Sequence, residues 1–358
     1  MILSSSRHSH IGLDVGAAAI KAVQVVHDRS GPRISAAAWI PRTQPGGAGT
    51  AIGATLSASE AARLASSLRR KGFAGSSIVI SPSRDQLLTG VLELPSLHSG
   101  APLDEIARQE LARACKCDPR RLELGWWDLP SGPRASEGVT ALAVGLKHED
   151  AGTLMDALES AGLNVCAIDA APVALARACA PMVADPPELT VVLDTGFCGA
   201  QIIIMRGRTP VYERIMREAG LRTLHAELSA KLGLDDALAA HVLGSSGSVQ
   251  VQNSPVMGSD DLRTLIAAHA DTIAAEIKAS MSYATRRFES PVSRVLVAGG
   301  AATAPGWVER LGQRCDVQTQ AARADALAAA APGGLLCGAD FVLALGLALK
   351  AGAAGGAR

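Results

Sequence analysis

Two stretches of the chain carry the same strand pattern, an apolar run broken by an acid and a glycine. From Ile11 the run ends in a tight turn, Asp14–Gly16, and resumes as the strand "IKAVQVV", with Ile34–Ile40 as a third strand. Far downstream, "LTVVLDTG", "AQIIIMRG" and "PVYERIM" repeat that order, and Gly207 and Arg208 form the hairpin between the last two. Both stretches contain Leu-Asp-x-Gly, at Leu13–Gly16 and at Leu193–Gly196.

Between and after them the apolar spacing lengthens to a helical period. Ser59 is expected to cap a helix through Lys71, with Glu60 in its first turn and Gly72 as its stop. "PLDEIARQELARAC" is an amphipathic helix begun by Pro102 and Asp104. It lies among strand patterns, "LLTGVLELP", "LELGWWDLP" and "VTALAVGLK", the last two flanking a loop at Pro130–Gly138. Helices follow at Glu149–Ala161, "VALARACAPMV", Arg222–Leu232, Asp235–Leu243 and Asp260–Glu289, with loops at Pro41–Thr55 and around Ser245–Ser259. "SSIVISP", "NVCAIDA" and "VSRVLVAGG" read as buried strands, "CDVQTQ" as a short one and Phe341–Lys350 as a closing helix.

The patterns divide the chain into a first subdomain (1–83), an inserted α+β unit (84–149), the completion of the first lobe with a connecting helix (150–187), a second lobe (188–340) and a closing helix with tail (341–358). The fold class is α/β, duplicated. At 358 residues more than one core is expected, and 48% hydrophobic residues with a mean hydropathy of +0.21 exclude a disordered chain. Lys+Arg and Asp+Glu are equal at 34, so no global basic field exists to hold nucleic acid. Seven cysteines without paired CxxC spacing argue against a disulfide framework or a zinc site and are expected to be small buried hydrophobes in a reducing compartment. No apolar run suggests a signal peptide or membrane span, so a cytoplasmic protein is expected, reaching a membrane through partners.

One Asp-x-Gly turn is explained by turn geometry alone, because glycine permits positive φ and aspartate satisfies turn amides. Two such turns facing each other would bring backbone N–H groups close to a phosphate chain, with Asp14 and Asp194 placed to hold Mg²⁺ through water. A third element, "VAGGAATAPG" from Val297, is a strand, a double glycine and a helix start, where backbone approaches a flat ring or phosphates.

This ordered set resembles the actin-like ATPase superfamily, and within it the PilM family of type IV pilus assembly proteins. "HIGLDVGAAAIKAVQV", "LDEIARQELARAC" after "LELP", "LESAGLNVCAIDAAPVALARA", "VVLDTGFCGAQIIIMRGRTPVYERIM" and "VLVAGGAATAPGWVERL" carry the resemblance. It implies a duplicated actin-like, ribonuclease H-like fold with two lobes around a nucleotide cleft and an inserted 1C-type subdomain. It implies ATP and Mg²⁺ as cofactors. Asp14, Gly16 and Ala17 would form the first phosphate turn, with Lys21 either reaching phosphate or standing in water at a strand edge. Asp194, Thr195 and Gly196 would form the second, Gly299 and Gly300 would line the adenosine site, and Asp14 and Asp194 would hold the metal. The implied partner is a PilN-like single-span inner-membrane protein, through its cytoplasmic N-terminal segment, with other pilus motor or platform proteins beside it.

The sequence departs from that pattern in ways that bear on turnover. Positions 17 to 19 are all alanine where relatives offer a hydroxyl, and Leu238 and His241 stand where relatives carry the glutamate and lysine that frame adenine and ribose. Weak or absent ATPase activity is therefore expected. The other readings are a nucleotide-free adaptor, including one like GspL of type II secretion, and a small-molecule kinase with Asp194 as catalytic base. Trp126 and Trp127 are assigned to the core of the inserted unit rather than to a partner surface.

Overall fold

The computed structural model describes residues 8–28, 31–42, 56–130, 138–235, 238–239, 242–243, 260–327 and 337–350. Residues 43–55 of the loop expected at Pro41–Thr55, 131–137 of that at Pro130–Gly138 and the loop around Ser245–Ser259 lie outside these residues, as does His241. Three sheets organise the rest. The first contains β1 (Ile11–Val15), β2 (Ala19–Asp28), β3 (Gly31–Pro41), β4 (Ser77–Ile80) and β8 (Asn164–Ile168), in the order β3-β2-β1-β4-β8. The second contains β9 (Leu189–Thr195), β10 (Ala200–Arg206), β11 (Thr209–Met216), β12 (Val292–Gly299) and β13 (Gln318–Ala321), in the order β11-β10-β9-β12-β13. Each is an antiparallel meander joined in parallel to two later strands. The repeat of sequence is thus a repeat of topology.

The inserted segment forms the third sheet, with β5 (Leu88–Leu94), β6 (Leu122–Asp128) and β7 (Val139–Lys147) paired in the order β5-β7-β6. Helix α2 (Leu103–Cys115) packs Ala107, Leu111 and Ala112 onto one face of it. The two tryptophans of β6 point to opposite faces, as strand alternation requires. Trp126 packs under α2 and donates its indole N–H to Asp104, as assigned. Trp127 does not belong to that core: it donates to the carbonyl of Pro210 in the β10–β11 hairpin and packs against the second sheet's hydrophobic cluster.

Helix α1 (Ala58–Arg70) covers the outer face of the first sheet, together with α3 (His148–Glu159). Its cap is Ser57 and not Ser59, because only a cap at Ser57 puts Glu60 at the third helical position, where the capping box closes. Glu60 is buried and forms an ion pair with Arg42 at 2.8 Å, and Arg42 also donates to the carbonyl of Gly16 in the first turn.

Helices α5 (Leu221–Leu232), α6 (Asp260–Phe288) and α7 (Trp307–Cys315) cover the outer face of the second sheet. Between the two sheets lie α4 (Ala171–Cys179) and α8 (Val342–Ala348), whose apolar residues pack simultaneously on Val23 and Val25 of the first sheet and Val192 and Ile203 of the second. The approach is close enough to require glycine: a Cβ at Gly12 would run into the carbonyl oxygen of Ala344, and one at Gly346 into that of Ala174. The seven cysteines are free; four are buried, but Cys115 and Cys117 are only half-buried and Cys166 is exposed, so the expectation of uniformly buried thiols does not hold. Among the described residues no helix is long and apolar enough to cross a membrane.

Candidate functional site

Alternation along β1 sends Ile11, Leu13 and Val15 to the outer cluster, which leaves Gly12 and Asp14 facing the central helices. In β9 the same logic buries Leu193 in the outer cluster and turns Val192 and Asp194 inward. Both aspartates therefore come from the ends of central strands and look into the space between the sheets. Asp340, just before α8, joins them.

Lys21 is not a water-facing edge residue. It stands directly opposite Asp14 in the β1–β2 register, and its ammonium lies 3.2 Å from the Asp14 carboxylate. Burial on its own would lower the Lys21 pKa, but Asp14, Asp340 and Asp194 together outweigh it and hold the group above its usual value. Burial pushes the Asp340 carboxyl up, and Lys21 opposes that shift.

The second turn has its own cation, Arg84, from the loop between β4 and β5. That loop is a closed turn: the Ser83 amide and hydroxyl donate to the side-chain carbonyl of Gln86 at 3.1 and 3.0 Å, and the Gln86 amide donates back to the Ser83 carbonyl. From it Arg84 reaches the Asp194 carboxylate in a close ion pair, and it also donates to the backbone carbonyls of Asp194 and Gly199. A Cβ on Gly196 would lie 2.7 Å from Arg84 Nη1, and one on Gly16 would lie 3.1 Å from Lys21 Nζ. Each Asp-x-Gly turn thus carries a cation laid on its glycine.

Neighbouring contacts extend the bridge. Asp85 pairs with Arg217 at 2.7 Å, and Thr89 at the start of β5 donates to Glu213 of β11 at 2.9 Å. The inserted sheet is therefore fastened to the second sheet beside the Asp194–Gly196 turn. Arg84 was missed by sequence reasoning: a lone arginine in a serine-rich loop gives no local signal of a partner so distant in the chain.

The remaining expected residues are near but differently employed. The Thr195 side chain follows Leu193 to the outer face, where its hydroxyl is buried with no hydrogen-bond partner, so only its backbone borders the turn. Gly299 has φ +83°, and a Cβ there would lie 2.5 Å from Asp194 Oδ1. Gly300 faces Leu221. Both glycines let β12 end against the second turn. Ala17 adjoins the first turn and offers no donor beyond backbone, while Leu238 is exposed.

For a divalent metal the fit is poor. Both aspartates are already neutralised by side-chain cations, and among the described residues no group of three or more His, Cys, Asp and Glu side chains comes together that could hold a metal ion. A phosphate chain suits the charges better, because Lys21 keeps ammonium donors beyond Asp14 and the buried Arg84 Nε has no partner.

The duplicated sheet order, the paired turns and the helices between them define an actin-like ATPase fold. Residues 12–351 match the family described as "Type IV pilus assembly protein PilM", and the chain belongs to that family. It is similar in structure to a protein of a solved "PilM-PilN type IV pilus biogenesis complex", with a TM-score of 0.73, 21% identity and coverage of 96% of this chain and 98% of that one. It is also similar to the ethanolamine utilization protein EutJ from Carboxydothermus hydrogenoformans, with a TM-score of 0.54, 15% identity and coverage of 96% and 90%. A search of the curated proteins finds no significant match to the sequence.

Proposed function

We propose that this protein is a cytoplasmic, nucleotide-responsive scaffold of the inner-membrane platform that assembles a type IV pilus. It would hold the cytoplasmic N-terminal segment of a PilN-like single-span membrane protein. The observation that carries this reading is the inserted unit's attachment to the second sheet beside the Asp194–Gly196 turn, Arg84 binding Asp194 itself while Asp85 pairs with Arg217 and Thr89 with Glu213, in a chain of the PilM family. A nucleotide between the turns formed by Asp14–Ala17 and Asp194–Gly196, with its base towards Gly299 and Gly300, would act on both sheets and reach the inserted unit through the Ser83–Gln86 turn. The five segments 1–83, 84–149, 150–187, 188–340 and 341–358 are the units that would move.

The partner's seat is proposed on the inserted unit. Strand β5 is an edge of its sheet, and Val91 on it and Leu97 just beyond are among the most exposed large apolar residues described. An extended apolar peptide can add to such an edge by main-chain hydrogen bonds.

The test is capture of the purified protein on the immobilised N-terminal peptide of the PilN-like protein, with and without ATP. Val91→Asp is expected to abolish capture while leaving the thermal midpoint unchanged. Undiminished capture by a folded Val91→Asp variant removes β5 as the seat, and no capture by the unaltered protein removes the partner. Capture that is indifferent to ATP favours the nucleotide-free adaptor.

A further inference from the structure

The two aspartates that would hold Mg²⁺ in an actin-like cleft are both occupied by the chain's own cations. Arg84 is bound by three acceptors around the second turn, the Asp194 carboxylate and the carbonyls of Asp194 and Gly199. Its guanidinium lies where Gly196 has no side chain, and it fixes Asp194 from a turn that Gln86 holds closed. Lys21 does the same for Asp14 from the register position opposite. Together these side chains bring two positive charges to the cleft, the charge of one Mg²⁺. Lys21 also stands at the first turn, which lacks hydroxyl donors because positions 17 to 19 are alanine.

We propose that Arg84 takes the place of Mg²⁺ at Asp194, so that the cleft binds a nucleoside polyphosphate without a divalent metal. This rests on the nucleotide-binding reading above. The physical argument is one of exclusive use. A carboxylate whose charge is met by a part-buried guanidinium has little left to offer a hydrated cation, and separating the pair leaves the buried Asp194 charge poorly solvated. The same guanidinium keeps N–H donors unspent, among them Nε, which is buried without a partner and which a phosphate oxygen would satisfy. Arginine presents that donor in a fixed plane, whereas a metal would need ligands rearranged around it. Because Arg84 stands at the root of β5, phosphate held by it would bear directly on the inserted sheet.

Two measurements test this, one of them free of nucleotide. In the first, the midpoint of thermal unfolding is read with 10 mM Mg²⁺ as the only added divalent ion (roughly ten-thousandfold above a micromolar site), against sodium at matched ionic strength. The unaltered protein is expected to be unmoved. Arg84→Ala, which bares Asp194, is expected to rise by about 3 °C or more, and Arg84→Ala combined with Asp194→Asn is expected to lose that rise. Arg84→Gln serves if Arg84→Ala does not fold. Specific stabilisation of the unaltered protein by Mg²⁺, or no Mg²⁺ response in the bared variants, overturns the proposal. In the second, ATP and ADP are titrated calorimetrically in EDTA and in Mg²⁺. The unaltered protein is expected to bind within about twofold in the two buffers. Arg84→Ala is expected to weaken about tenfold in EDTA, the loss of one charge-assisted hydrogen bond, and to recover with Mg²⁺. A requirement for Mg²⁺ in the unaltered protein, or tighter binding by Arg84→Ala, overturns the proposal but leaves nucleotide binding standing. No heat from either nucleotide under any condition instead overturns the nucleotide reading, and the thermal measurement still decides what Arg84 does to Asp194.

Discussion

Trp307 donates its indole N–H to Nδ1 of His269 at 3.0 Å, so the imidazole must carry its own proton on Nε2, which meets the carbonyl of Gly220 at 3.3 Å. Gly220 in turn packs on the backbone of Phe197 and Cys198, where a Cβ would collide. A neutral histidine on α6 thus props the Asp194–Gly196 turn from behind.

That arrangement fixes a pH dependence. Burial lowers the His269 pKa below its ordinary value of 6.5, opposed by the Gly220 carbonyl and Glu227. Between the lowered native value and 6.5 the unfolded chain binds a proton that the folded chain refuses, so stability falls as pH drops through 6.5 and continues to fall until the native ring protonates. Denaturant midpoints measured from pH 7.5 to 5 should decline, and His269→Gln should flatten that decline over the same window. An identical slope in the variant would assign the acid sensitivity to other groups.

Arg42→Ala should be among the costlier single changes. It leaves Glu60 buried without its guanidinium, and it removes a donor from the Gly16 carbonyl. Loss of one partner of a buried pair costs about 3–5 kcal/mol. Urea unfolding should show a loss of that order, against about 1 kcal/mol for Ser57→Ala, which removes only the cap.

Gly299→Ala should damage the site without touching any charge. It forces an L side chain into φ +83° and drives a Cβ against Asp194 and Thr195, a strain of about 1–3 kcal/mol before the clash is counted. A lower thermal midpoint with weakened nucleotide binding is expected; a neutral effect on both would show that β12 can withdraw from the turn.

Trp127→Ala should loosen the inserted sheet rather than unfold it, because its contacts are with the β10–β11 hairpin and not with α2. Hydrogen exchange should quicken in β6 and at 206–211, while α2 and β5 keep their protection. Uniform quickening throughout the inserted unit would mean that Trp127 supports its core after all.

Much of this was legible in the chain. Hydrophobic period and turn residues placed β1 to β3 and β9 to β11 correctly, and the repeated Leu-Asp-x-Gly marked the strand ends that face one another. The direction of each side chain at those ends was less visible. Thr195 and Asp194 are adjacent in sequence but lie on opposite faces of β9, and alternation decides which of them reaches the cleft. Arg84 was invisible because its role depends on a contact across the whole fold, which no local pattern encodes. Lys21 lay between these cases: its register against Asp14 follows from the hairpin, but the further charges of Asp340 and Asp194 that act on it come from distant parts of the chain.

The close seat of α8 against β1 also bears on how the polypeptide is made. Gly12 leaves the ribosome long before the backbone of Ala344 and Ala348 that covers it. Throughout elongation, the inner side of the first sheet waits with an apolar surface bare. A nascent chain stalled before Val342 would have α4 but lack α8, its partner in the wedge common to both halves, and holdase chaperones should find it a far better client than the full-length protein.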